Sequence, residues 1–169
     1  MEAESVLKKA EQTVILLKEK GLTIATAESC TGGMISAFLT SVSGVSEVFE
    51  LGITSYSCRI KNEILKVDAT VLEEKGAICE ETAAQMAHNV RLLSGSDIGV
   101  SVTGVAGPAS SEGHPVGYIF IGISGDKGCR VKLLDLKPDE RDKVRLNAVM
   151  AVFHLIEEYI FEGTDNEQI

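Results

Sequence analysis

The chain has 169 residues, 44% of them hydrophobic and 24% charged, the balance of an ordinary globular domain. A formal net charge of −9 disfavours nucleic-acid binding as a primary role, because an acidic surface repels phosphate backbones; it leaves room for a small phosphorylated ligand held by local donors. No apolar run approaches the roughly 20 residues of a membrane-spanning helix. The charged opening MEAESVLKKAEQ has no signal-peptide core, so the expectation is a cytoplasmic protein.

In chain order, residues 4–20 place Leu7, Ala10, Val14 and Leu17 at helical spacing, and Gly21 ends that helix. LTIATA (22–27) reads as a strand, and MISAFLTSV (34–42) as a helix running out at Ser43-Gly44. SEVFELGITSYS (46–57) is a second strand with Gly52 at a bulge. KNEILKV (61–67) and ATVLEEKG (69–76) are short helices. CEETAAQMAHNVRLLSG (79–95) is a longer one, acidic at its start and basic at its end, as the helix dipole favours.

DIGVSVTG (97–104) is apolar on both sides and so reads as a central strand. VGYIFIGIS (116–124) and CRVKLLDLK (129–137) form a hairpin through Gly125-Asp126-Lys127-Gly128. A last helix opens with Pro138 as its first residue, has Lys137 as a non-ideal cap and ends near Phe161. Strands interleaved with helices imply α/β class: a three-layer α/β/α sandwich around a mixed, about five-stranded sheet. A single domain is expected over residues 1–162, with 163–169 a frayed tail.

Cys30, Cys58, Cys79 and Cys129 show neither a C-x-x-C pair nor ligand spacing, which argues against zinc and against a disulfide framework. Two turns of small residues follow strands: ATAESCTGG after the first and SVTGVAGP at the end of the strand read at 97–104. In open α/β sheets, ligands bind beyond the carboxyl ends of strands, where such residues let backbone N–H groups approach an anion. On the residues alone, Ser29 before Gly32-Gly33 reads as a cap or turn residue rather than as a nucleophile. Lys61 reads as a solvated lysine, Tyr56 as a strand aromatic, and Arg145 as part of a polar helix face. Glu28 reads as a first-turn acid balancing the helix dipole.

Six blocks carry a more specific signal: AESCTGG (27–33), SYSCRIK (55–61), KGAICEETAAQMA (75–87), VTGVAGP (102–108), HPVG (114–117) and RDKVR (141–145). In content and order they resemble the stand-alone and C-terminal domains of the CinA proteins, the nicotinamide mononucleotide (NMN) deamidases. The resemblance runs from about Leu7 to Ile160. It implies a three-layer α/β/α domain that hydrolyses the carboxamide of NMN to nicotinate mononucleotide and ammonia, with no metal and no cofactor. It implies Ser29 as nucleophile, Lys61 as its base and Tyr56 beside them. It further implies that Thr31, Gly32, Gly33, Thr103, Gly104 and Arg145 bind substrate, Arg145 at the 5′-phosphate. Partners implied are the NMN-like substrate and other copies of the chain in a homo-oligomer, with no nucleic acid and no membrane.

A lysine accepts a proton near neutral pH only if its ammonium is destabilised by burial or by nearby positive charge. Cys58 and Arg59 replace the family's Asn and acidic residue. Ala109-Ser110-Ser111 stands in place of a glycine run, and His114 in place of a lysine. These departures imply either a changed substrate or a pocket that binds a nucleotide without hydrolysing it. A cysteine chemistry at Cys30, with His88, His114 or His154 as base, is the remaining alternative.

Overall fold

The computed structural model describes residues 2–162; the tail expected to fray at 163–169 lies outside the described residues. Helix α1 (Ala3–Lys20) buries Val6, Ala10, Val14 and Leu17 along one stripe. Gly21, left-handed at φ 63°, ends it by donating its N–H to the carbonyls of Leu17 and Lys18. There follow β1 (Ile24–Glu28), α2 (Met34–Thr40), β2 (Phe49–Thr54), α3 (Cys58–Glu63), α4 (Ala69–Glu74) and α5 (Glu80–Ser94). The chain continues through β3 (Ile98–Gly104), β4 (Tyr118–Gly125), β5 (Gly128–Asp135) and α6 (Arg141–Phe161).

The strands form one mixed sheet in the order β2-β1-β3-β4-β5. β1 pairs in parallel with both β2 and β3, and the β3–β4 and β4–β5 pairs are antiparallel. Helices α1, α2 and α6 cover one face over Ile24, Val100, Val102, Ile121 and Ile123. Met86 and Val90 of α5 cover the other over Ala25 and Ala27. The sandwich is therefore the three-layer α/β/α arrangement expected. β3 is central and buried at every position but the last. Its small residues face α5 because that helix lies close: a Cβ at Gly99 would stand 2.2 Å from the Ala87 carbonyl, and Ser101 Oγ donates to the Ala83 carbonyl at 2.6 Å.

Several boundaries differ from expectation. β2 starts at Phe49, because the 3-10 turn Val45–Glu47, entered from left-handed Gly44, occupies its expected first residues. The register slips between Ile24 and Ala25, which pair with Phe49 and Leu51, so the irregularity falls at Glu50. Gly52 pairs regularly with Thr26; it is small because a Cβ there would sit 2.4 Å from Ser36 Oγ. Helix α3 begins three residues earlier than expected, since Ser57 Oγ accepts the Ile60 N–H and caps it. Lys66, at φ 54°, falls in the stretch beyond that helix, which the sequence pattern had included in it. Helix α6 begins at Arg141, with Glu140 extended at its N-cap, rather than at Pro138.

Candidate active site

β1 and β3 end side by side, Glu28 opposite Val102. From β1 the chain passes to β2 through α2 on one face, and from β2 to β3 through α5 on the other. A crevice opens at such a switch point, beyond the strand ends. Ser29 is the first residue past β1, and its N–H still donates to the Val102 carbonyl at 3.0 Å, which ties it to the sheet. Gly32 and Gly33, at φ 62° and 93°, take the left-handed conformations that close the turn.

Glu28 is the last residue of β1 and fully buried, not a first-turn helix residue. Its Oε2 accepts from Thr31 Oγ1, Gly33 N and Ile35 N at 2.7, 3.0 and 3.1 Å. Its Oε1 accepts from Ser36 N and Ser36 Oγ, both at 2.8 Å. The carboxylate thus serves the free N–H groups at the start of α2, whose N-cap Gly33 has no side chain to do so. The Thr31 hydroxyl and the Gly33 amide are thereby spent inside the protein, and the Gly32 amide is spent on the Ser29 carbonyl at 3.0 Å. Neither the Cys30 N–H nor the Thr31 N–H donates to another residue among the described residues, and both adjoin Ser29.

The Ser57 cap sets α3 so that Lys61 turns inward, with only 1% of its surface exposed. Lys61 Nζ is hydrogen-bonded to Ser29 Oγ at 3.0 Å and donates to the Ser55 carbonyl at 2.6 Å. Burial pushes the Lys61 ammonium below the usual lysine range, against the opposing pull of Cys58, Cys30 and Glu112.

Ser29 and Lys61 line a cavity of about 270 Å³, at the small end of ligand pockets. Ala77 and Ile78 form one wall, the end of β3 and the loop that leaves it, from Thr103 to Gly107, another, and Ala109, Ser111 and Glu112 a third. Tyr56 is 64% exposed and also lines it; its hydroxyl accepts from Arg141 Nη2 at 3.0 Å. Arg141 lines the cavity too, and its Nη1 donates to the Gly107 carbonyl. Thr103 Oγ1 donates to the Ala77 carbonyl at 2.7 Å and so fastens two walls together. Among the described residues, no group of three or more His, Cys, Asp or Glu side chains is gathered where a metal ion could be held.

The structure thus brings together Ser29, Lys61, Tyr56, Thr103 and Gly104 around the cavity, and leaves Thr31, Gly32, Gly33 and Arg145 off its lining. Arg145 Nη2 donates to the Thr31 carbonyl at 2.8 Å and its Nη1 to Asp142 Oδ1 at 3.1 Å, which props the elbow from behind. Sequence reasoning passed over Arg141, although it stands one turn earlier in the same RDKVR block, and Glu112, which reads as a loop charge. Of the departures, Cys58 is exposed and off the cavity, and His114 stacks on Tyr118 at 4.3 Å. Only Ala109 and Ser111 touch the cavity. Cys30 lines it, but burial pushes its thiol up to about 12, so it stays un-ionised and a poor nucleophile. None of His88, His114 and His154 lines the cavity.

Fold and site together define an α/β/α protein that presents a serine on a strand-to-helix elbow to a buried lysine. The chain belongs to the CinA C-terminal domain family, whose family model matches residues 6–160. A relative from Streptococcus pneumoniae, named as a competence-damage inducible protein, is 46% identical over 140 residues, covering 83% of this chain and 34% of that protein. One of the same name from Caldanaerobacter subterraneus subsp. tengcongensis is 42% identical over 152 residues, covering 89% and 37%. The chain therefore spans about a third of the length of the curated relatives it matches. The crystal structure of the competence/damage inducible protein CihA from Agrobacterium tumefaciens has a TM-score of 0.87 at 31% identity, covering 90% of this chain and 94% of that one.

Proposed function

We propose that this site is a metal-independent serine amidohydrolase that converts NMN to nicotinate mononucleotide and ammonia, with Ser29 as nucleophile and Lys61 as base. The observation that carries the reading is the 3.0 Å contact between Ser29 Oγ and a lysine amine whose burial disfavours the ammonium. As Ser29 Oγ attacks the carboxamide carbon, its proton passes to the neutral Lys61 amine. The amide of Cys30, the residue after the nucleophile and itself on the cavity lining, receives the developing oxyanion. The C–N bond then breaks, and Lys61 returns the proton to the leaving NH₂, giving ammonia and an ester on Ser29. Water attacks that ester with Lys61 again as base, releasing the carboxylate and restoring the serine.

In this reading Arg141 takes the 5′-phosphate role expected of Arg145, because it is the arginine that lines the cavity. Tyr56 stacks on the pyridine ring. A cytoplasmic homo-oligomer goes with the proposal; among the described residues no helix is long and apolar enough to cross a membrane. The test is ammonia release from NMN by wild type, Ser29→Ala and Lys61→Ala, with turnover by wild type alone as the expected result. A second reading, a nucleotide-binding module without turnover, draws on Ala109 and Ser111 lining the cavity. Tight NMN binding without ammonia release, unaltered by Ser29→Ala, selects it.

A further inference from the structure

Glu112 sits in the loop after β3 at φ 50°, a left-handed conformation unusual for a residue with a side chain. Its carboxylate rests in a cradle across the cavity. Ala77 N and Ile78 N both donate to its Oε2, at 2.9 and 3.2 Å. Gly76 leaves the space, since a Cβ there would lie 2.4 Å from the same oxygen. The second oxygen, Oε1, accepts from no protein donor among the described residues.

The ionisable side chains of Asp, Glu, Lys and Arg that line this cavity are Lys61, Glu112 and Arg141. The proposed reaction needs Lys61 as the free amine, which leaves one cation and one anion. They are fixed to different walls: Arg141 to Gly107 and Tyr56, Glu112 to the 77–78 peptides. A neutral ligand leaves Glu112 without a counter-charge, and a purely anionic one is repelled by it. A ligand with an anionic group for Arg141 and a cationic ring for Glu112 satisfies both.

We infer that Glu112 is the specificity-determining residue of this cavity and selects ligands whose ring carries a positive charge. The inference rests on the amidase reading of the same site and names which oxidation state of a pyridine ring that site takes.

The experiment compares ammonia release from the pyridinium nucleotide and from its neutral dihydropyridine counterpart, in wild type and Glu112→Gln. Glutamine keeps a carbonyl oxygen for the two amides and removes only the charge. The expected result is a roughly tenfold fall in the ratio of the two kcat/KM values, cation over neutral, in the variant. A structural role would not produce the second expected change: the acid limb of the pH profile moves to lower pH, because the carboxylate no longer holds the Lys61 ammonium up. An unchanged ratio overturns the assignment and leaves the amidase reading standing. No ammonia from wild type with either substrate overturns the amidase reading instead. In that case, or if the variant does not fold, wild-type affinity for 1-methylnicotinamide, a permanent cation, is compared with that for neutral nicotinamide by calorimetry. Tighter binding of the cation supports the inference, and equal or weaker binding overturns it.

Discussion

Lys61 Nζ reaches Ser29 Oγ at 3.0 Å while its other hydrogen bond goes to a neutral carbonyl, that of Ser55. A lysine in this position has given up its hydration without a carboxylate in hydrogen-bond contact, and the pull of Glu112 from further off does not make up the loss, which is why the ammonium is disfavoured. The base must be unprotonated to accept the serine proton. Activity therefore rises with pH, and the rise is centred below the ordinary lysine value of 10.5. The pH profile of kcat/KM for ammonia release checks this; a limb at the ordinary lysine value would remove Lys61 from the role of base.

The same burial has a signature in stability. The folded-state pKa lies below that of the unfolded chain, so the penalty for a protonated Lys61 is fully present below the folded value. It is relieved as pH climbs toward 10.5. Lys61→Met keeps the length and removes the charge. It should melt a few degrees above wild type near neutral pH, with the gap narrowing at alkaline pH, and ammonia release should fall at least ~100-fold. Melting curves at neutral and alkaline pH, run beside the assay, decide it.

Glu28 accepts hydrogen bonds from two amides and a hydroxyl on one oxygen and from an amide and a hydroxyl on the other. In Glu28→Gln one of those sets meets an NH₂ group, donor against donor. The expected cost is about 2–4 kcal/mol in chemical denaturation. The turn that holds Ser29 loosens with it, so kcat falls while substrate affinity changes less. A variant as stable as wild type would show that the carboxylate is not what holds the elbow.

Cys30 lies beside Ser29, yet its thiol is buried and pushed up to about 12, whereas Cys58 and Cys129 are exposed. Alkylation of the native protein by iodoacetamide at neutral pH should therefore mark Cys58 first, Cys129 more slowly because partial burial pushes its thiol up too, and spare Cys30 until the chain is unfolded. Cys30→Ala should retain ammonia release. Peptide mapping of the alkylated protein reads the first expectation, and the assay reads the second.

The strands, the long helices and the Gly125–Gly128 hairpin were legible because each writes its own local period or turn chemistry into the sequence. β3 announced its central place by being apolar on both sides. What stayed hidden depends on contacts between distant segments. Glu28 reads as a helix acid until α2 is seen to lack a side-chain cap, and Thr31 and Gly33 read as ligand donors until Glu28 is seen to occupy them. The start of α3 was missed because a single Ser57 hydrogen bond outweighs the apolar pattern further along. Ser29 and Lys61 were paired only through the family blocks; nothing in their spacing brings residues 29 and 61 together.

The two arginines of α6 separate most cleanly by experiment. They stand one turn apart, but Arg141 reaches the cavity while Arg145 is bonded to the Thr31 carbonyl behind the elbow. Arg141→Ala should raise KM for NMN roughly tenfold or more with a smaller change in kcat, since a phosphate loses its charged partner. For the riboside, which has no phosphate, the same substitution should change little. Arg145→Ala should instead lower the melting temperature and kcat for nucleotide and riboside alike, because it weakens the support of the serine rather than a ligand contact. If Arg145→Ala proved selective for the phosphate and Arg141→Ala did not, the assignment of the two residues would have to be exchanged.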